Sequence, residues 1–183
     1  MVIYLVALLV LTIIILFMLN FEYYRHKLGV STSHSSDSMR QAILDEILDS
    51  APQNTKLKIV DPGCGSGDLV LKIAKSIPDA TVVGLELSPI PFWQAVLKKK
   101  ISGQKNTIFL RENFFEYDFS DAQVIVTFLP IPVLHKLAPK LKSDMKSGAL
   151  LLSNAFQMPE DWISYKQEMV QPILKRYLYC YKA

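Results

Sequence analysis

Three glycines stand at alternating positions in the stretch Asp61-Pro62-Gly63-Cys64-Gly65-Ser66-Gly67, and the residues on either side fix what the chain around it can become. Lys58-Ile59-Val60 before it reads as a short buried strand, and Leu69, Val70, Ile73 and Ala74 after it recur at helical spacing. A strand that passes into a helix through glycines is the opening unit of an open α/β sheet, in which ligands approach the backbone beyond the strand ends. Glycine suits that turn because it reaches backbone angles closed to other residues and carries no Cβ to strike a ligand.

The rest of the chain keeps the alternation. Met39, Ile43, Leu44, Ile47 and Leu48 mark one face of a helix that Asp37 or Ser38 would cap, broken near Pro52 and Asn54. Residues 81–87 predict a second strand; Pro91 opens a helix through Trp93, Val96 and Leu97 that Lys98, Lys99 and Lys100 close, where cations suit the dipole. Strands are expected over 106–110, 123–128, 148–153 and 176–181, with a helix over 133–146 that Pro139 either interrupts or enters at an early turn. This order predicts an α/β domain over 39–183: a Rossmann-like, doubly wound, mostly parallel sheet.

Ahead of it, Met1 to Phe21 carries no charged side chain, and a run of about 20 apolar residues matches the hydrocarbon thickness of a bilayer as a helix. The expectation is an uncleaved transmembrane anchor over 1–21, because a signal peptide would show a basic start, a shorter apolar run and a small-residue cleavage site. Asn20 would end it, with Tyr23 and Tyr24 at the interface and a juxtamembrane linker over 22–38. Arg25, His26 and Lys27 follow the anchor, which places the domain on the cytoplasmic side, in a bacterium at the inner membrane.

The glycine spacing narrows the ligand. A dinucleotide fingerprint counted from Gly63 needs glycine where Asp68 stands, and counted from Gly65 it needs glycine at Val70. Asp68 at the helix start would repel a pyrophosphate, and the Gly-Lys-Ser/Thr of a phosphate-binding loop is absent. The ligand is therefore expected to lack phosphate. Glu86, at the end of the next strand, is placed to accept hydrogen bonds from both hydroxyls of a ribose. Asn113 and Phe114 after the third strand offer an amide and a ring to an adenine, or equally a turn residue beside a core phenylalanine. A net charge of +3 gives no reason to expect nucleic acid, and Cys64 and Cys180 alone give neither a disulfide framework nor a metal site. His135 and the lysines of the 133–146 helix read as surface, and His34 as a loop residue at the margin of the site.

Together these residues resemble class I S-adenosylmethionine-dependent methyltransferases. Val60 to Gly67 is similar to the first motif of that family and Gly84-Leu85-Glu86-Leu87 to its second. The resemblance implies S-adenosylmethionine as cofactor, held by Asp61, Gly63, Cys64, Gly65, Gly67, Glu86, Leu87, Asn113 and Phe114, with Asp61 or Asp68 helping to hold its amino group. Phe128, Leu129 and Pro130 would line the methyl-transfer side, without the Asn/Asp-Pro-Pro-Tyr arrangement of amide and exocyclic-amine methylation. A narrower resemblance is to the membrane-anchored lysine methyltransferases that modify the ATP synthase c-ring protein and the ADP/ATP carrier, and to their bacterial relatives. It rests on the apolar start, on residues 83–89 before a Trp-containing helix, and on Asn113-Phe114-Phe115, Phe128-Leu129-Pro130, Ala155-Phe156-Gln157-Met158-Pro159 and Trp162. It implies a lysine acceptor on a membrane-associated protein. The chain departs from that family at Asn113, where an acidic residue is usual, and at Gly29-Val30-Ser31-Thr32-Ser33, which lacks the Tyr-Val-Pro-Ser/Thr-like segment. A lipid or quinone methyltransferase and a non-catalytic nucleoside-binding module stay open as alternatives.

Overall fold

The computed structural model describes residues 2–28, 35–52 and 56–183, and within the first of these it leaves out the side chains of residues 14, 17, 20–22 and 24–28. The segment 29–33, His34 and Asn54 lie outside the described residues. The chain runs α1 (Val2–Leu28), α2 (Asp37–Ser50), β1 (Lys58–Pro62), α3 (Asp68–Ser76), β2 (Thr81–Leu85), α4 (Pro89–Ser102), β3 (Thr107–Leu110), β4 (Val124–Thr127), α5 (Ile131–Asp144), β5 (Leu150–Asn154), β6 (Lys166–Gln171) and β7 (Arg176–Lys182). The seven strands form one sheet in the order β3-β2-β1-β4-β5-β7-β6. Strands β1 to β5 are parallel, and β7 lies antiparallel to both β5 and β6.

Each strand serves two cores because successive side chains point to opposite faces. Ile125 and Leu151 join Leu134, Leu137 and Leu141 of α5 with Phe114, Phe119 and Tyr181 on one face. Val124, Val126, Leu150 and Leu152 join Met39, Ile43 and Ile47 of α2 and Val70 and Ile73 of α3 on the other. The strand order reverses at β1 and β4, so their carboxyl ends open the crevice in which such sheets bind ligands.

Several expectations are corrected. The cap of α2 is neither Asp37 nor Ser38: Ser36 accepts the hydrogen bond from the Met39 N–H at 3.2 Å. Pro139 lies well inside α5, and the helix continues through it. A proline there leaves the His135 carbonyl without its helical donor. Both residues are at least partly exposed, so water can satisfy it. The strand β6 has no counterpart in the sequence reading, because Lys166-Gln167-Glu168-Met169-Val170-Gln171 lies at a solvated edge and lacks apolar alternation.

The apolar start also differs from expectation. Asn20 ends nothing, since α1 runs on to Leu28 through part of the expected linker; asparagine inside a helix costs only about half a kcal/mol. Among the described residues no helix is long and apolar enough to cross a membrane. The expected span over 1–21 is therefore not carried by the described residues, several side chains of that stretch falling outside them. None of the described α1 side chains enters either core, and Val2, Ile3, Leu5, Leu8, Leu9 and Leu16 are all exposed.

Candidate cofactor and acceptor site

The glycine loop closes the gap between β1 and α3 and is pinned to β2. The N–H groups of Gly63 and Cys64 both donate to the Leu85 carbonyl, at 2.8 and 3.0 Å, and Gly67 N–H donates to Cys64 O at 3.0 Å. Gly63, Gly65 and Gly67 all have positive φ. They differ in what a side chain would meet. A Cβ on Gly67 would lie 2.6 Å from the Phe109 ring and 2.9 Å from the Ala95 Cβ, so this glycine serves packing. A Cβ on Gly65 would meet nothing within 4 Å, so this one borders open space on the ligand side.

Glu86 holds the loop in shape. It is buried, one carboxylate oxygen accepts the Gly65 N–H at 3.1 Å, and the other accepts the Ser88 N–H at 2.7 Å. The carboxylate thus links the open glycine to the N-cap of α4. Asp61, at the end of β1, is buried too, and among the described residues nothing donates a hydrogen bond to its side chain. Burial, and then the Glu86 charge, push its carboxyl up to about 7. The same burial and the charges of Asp61 and Glu86 raise the Cys64 thiol well above its ordinary value, which keeps it protonated and unsuited to nucleophilic work.

Asp68 plays a different part from the one its sequence position suggests. Lys98 of α4 donates to it at 2.7 Å, and Ser66 donates to it at 2.9 Å. The charge that stands against an anionic ligand at the start of α3 is therefore met by an ammonium. Phosphate is disfavoured instead by the buried carboxylates of Asp61 and Glu86, Asp61 having no cation beside it among the described residues. Lys98 is not legible in the sequence, because a lysine in a Lys-Lys-Lys run reads as solvent-facing until the tertiary fold brings it to Asp68, 30 residues away.

The remaining expected residues divide. Leu87 is half-buried beside the site, and its carbonyl accepts from Arg111 Nε at 3.3 Å. Asn113 spends its amide locally: Oδ1 accepts the Phe115 N–H and Nδ2 donates to Glu116. Phe114 is buried in the α5-side core, within 4.0 Å of where a Gly63 Cβ would stand. Leu129 is fully buried and meets the Gly63 position at 3.0 Å, so it backs the glycine loop. Pro130 is the N-cap of α5. Phe128 is half-buried, its ring stacked on Phe156 with centroids 6.1 Å apart and beneath the Arg176 guanidinium.

Around that aromatic pair the structure adds residues that sequence reasoning misses. Ala155 takes a left-handed φ of 66°, a conformation that costs a non-glycine residue about 1 kcal/mol, and turns the chain from β5 toward Phe156. Thr127 and Asn154, at the ends of β4 and β5, are buried, and among the described residues the Thr127 hydroxyl and the Asn154 Oδ1 have no partner; the Asn154 amide nitrogen donates to Ser35 at 2.8 Å. Buried acceptors without donors are costly, so each invites a polar partner, Thr127 on the face of Ile125 and Asn154 on the face of Leu152. Their only trace in the sequence is that both follow a run of apolar strand residues.

Residues 61–165 match the family model described as the ANTKMT methyltransferase domain. The chain belongs to that family. The resemblance to class I S-adenosylmethionine-dependent methyltransferases, read from the glycine loop and Glu86, is borne out. Among curated proteins the chain is 31% identical to a protein-lysine N-methyltransferase of Saccharolobus islandicus over 55% of its length and 63% of that protein's. It is 34% identical to the ATP synthase c-subunit lysine N-methyltransferase of Caenorhabditis elegans over 61% of its length and 58% of the relative's. It thus spans less than two thirds of either relative. Among solved structures, an RNA methyltransferase of Salinibacter ruber in complex with S-adenosyl-L-homocysteine superposes with a TM-score of 0.68, at 24% identity, covering 82% of this chain and 93% of that one. At that identity the likeness bears on the fold, which it shares.

Proposed function

We propose that this chain transfers a methyl group from S-adenosylmethionine to the ε-amine of a lysine on a membrane-associated protein. One observation carries the cofactor half. The buried carboxylates of Asp61 and Glu86 flank an open glycine loop, and the charge that acts on Asp61 is that of Glu86 and not of a cation. Such a site favours a ligand that is cationic there and lacks phosphate. S-adenosylmethionine brings a sulfonium, whose methyl is the group transferred, and an α-ammonium that suits Asp61. Glu86 keeps the Gly65 backbone aligned and offers carboxylate oxygen to ribose hydroxyls.

The acceptor half lies at the ends of β4 and β5. Phe128 and Phe156 form apolar walls that suit the methylene stem of a lysine. The unpaired Thr127 hydroxyl is an acceptor for an amine N–H group. An amine attacks only with its lone pair free, so it must shed a proton first, and an apolar surround lowers its affinity for that proton. The lysine-methylating relatives favour this acceptor.

The apolar exposed length of α1 supports a tether that raises the local concentration of a membrane-borne acceptor, with the domain on the cytoplasmic face. The test incubates the full chain with methyl-labelled S-adenosylmethionine and membranes, followed by residue mapping. Label on lysine is the expected result. Label confined to the organic extract overturns the acceptor assignment, and absence of both label and S-adenosylhomocysteine overturns the activity.

A further inference from the structure

The turn between β6 and β7 is built from Pro172-Ile173-Leu174-Lys175, closed by a hydrogen bond from Lys175 N–H to Pro172 O at 3.2 Å. Its two central residues are the apolar ones. Ile173 is 96% exposed and Leu174 60% exposed. Turn centres ordinarily take Gly, Asn, Asp or Ser, which tolerate the geometry and solvate well. Two large aliphatic side chains at the outermost point of a hairpin gain nothing from folding, so their use is sought in a partner.

Position and charge say which partner. Both β5 and β6 run antiparallel to β7, so β6 runs with the parallel strands and its turn lies at the edge where they end. That is the edge of the site. Arg176, the first residue after the turn, sits 5.9 Å from the Phe128 ring, and Gln171, the last before it, donates to Ser38 at the start of α2. The chain also enters the domain there, since Ser35 receives the Asn154 amide. From Leu28 to Ser35 is seven residues, a reach of at most about 25 Å whatever their course. The end of the exposed apolar helix α1 therefore lies within that reach of Ser35. The turn ends in one cation, Lys175, and is followed by another, Arg176; Lys175 is exposed and makes no ion pair among the described residues. An apolar tip backed by basic residues matches the boundary between acyl chains and anionic headgroups.

We infer that the β6–β7 turn is a membrane-docking wedge: Ile173 and Leu174 enter an anionic bilayer surface while Lys175 and Arg176 meet its headgroups, holding the mouth of the acceptor site against the membrane. This rests on the membrane reading of α1 for proximity and goes beyond it by fixing which edge faces the lipid. A second apolar stripe, Trp93, Leu97 and Ile101 on the outer side of α4, is comparably exposed and serves as the internal control.

The test uses the full chain in phosphatidylcholine–phosphatidylglycerol vesicles, with an environment-sensitive fluorophore on Ile173→Cys or, as control, on Ile101→Cys. The unsubstituted chain, treated alike, gives the background from Cys64 and Cys180. Vesicle flotation reports the tether and spin-labelled lipid reports insertion. The expected result is flotation of both proteins, with about a twofold loss of emission at position 173 alone. That loss should shrink with Lys175→Asn, which suits the left-handed φ of 48° at that residue, and in phosphatidylcholine alone. Flotation without quenching at 173 overturns the wedge and leaves the tether standing. Equal quenching at 101 overturns it as nonspecific adhesion. Quenching that needs an added membrane protein overturns it in favour of a protein contact, and loss of flotation overturns tether and wedge together.

Discussion

Substituting Asp61 with asparagine should move stability and cofactor affinity in opposite directions. The carboxyl has an ordinary value of 3.8 and is pushed up to about 7 in the fold, first by burial and then by Glu86. Between those values the folded protein holds a proton that the unfolded chain has released, so stability falls as pH rises through that interval. At 1.36 kcal/mol per unit, the whole shift is worth about 4 kcal/mol at most, and water entering the ligand-free site reduces it. Asp61→Asn removes the penalty while keeping volume. Without cofactor at pH 8, the variant should be more stable than the parent by about 2 kcal/mol, or about 4–8 °C in Tm for a chain of this size. The gap should narrow as pH falls from 7, to about two-fifths of its full size near pH 5, and close only below 3.8. A bound cation favours the ionised carboxylate, so the parent's affinity for S-adenosylmethionine should fall about tenfold per pH unit below 7, whereas the variant should bind weakly at every pH. Thermal unfolding and calorimetric titration over pH 5.5–8 measure both. A variant no more stable than the parent at pH 8, or one that binds the cofactor with the parent's pH dependence, would refute the reasoning.

The two loop glycines should separate by readout. Gly67→Ala, which drives a methyl into Phe109 and Ala95, should cost about 2 kcal/mol or more in thermal stability; Gly65→Ala, facing open space, should cost about 1 kcal/mol for its left-handed φ and show its main loss in cofactor titration. Glu86→Ala, by freeing the Gly65 and Ser88 N–H groups and removing the oxygens offered to the ribose, should weaken cofactor binding about 30-fold or more in the same titration. Glu46 of α2 is buried and takes hydrogen bonds from Ser50, Tyr165 and Lys166, so Glu46→Ala should destabilise the fold by about 3 kcal/mol in urea titration. Burial pushes the Glu46 carboxyl up, but those partners together outweigh it and hold the group below its ordinary value of 4.5. Its stabilisation is therefore present above pH 4.5 and lost as pH falls below that value, opposite in sign to the effect of Asp61 and below most of its interval.

Local chemistry alone determined the α/β alternation, the glycine loop at the first crossover and Glu86 at the next strand end. Each is a short-range pattern: a buried strand, a turn that needs glycine, a helix face at 3.6-residue spacing. The start of α2 is not fixed by its sequence because Ser36, Asp37 and Ser38 are all good caps, and only backbone geometry chooses among them. β6 stays hidden because an edge strand buries too little to need an alternating pattern.

What the tertiary structure decided was which charges remain. In the sequence Asp61 and Asp68 are equal candidates, seven residues apart on one loop. The approach of α4 to α3 gives Lys98 to Asp68 and leaves Asp61 buried beside Glu86 with no cation among the described residues. Pairing depends on residues distant along the chain, and burial depends on the whole core, so neither is written in a local motif. The same holds for the edge shared by Asn154, Phe128 and the exposed Ile173: strand order and strand direction place them there, and those are properties of the whole sheet.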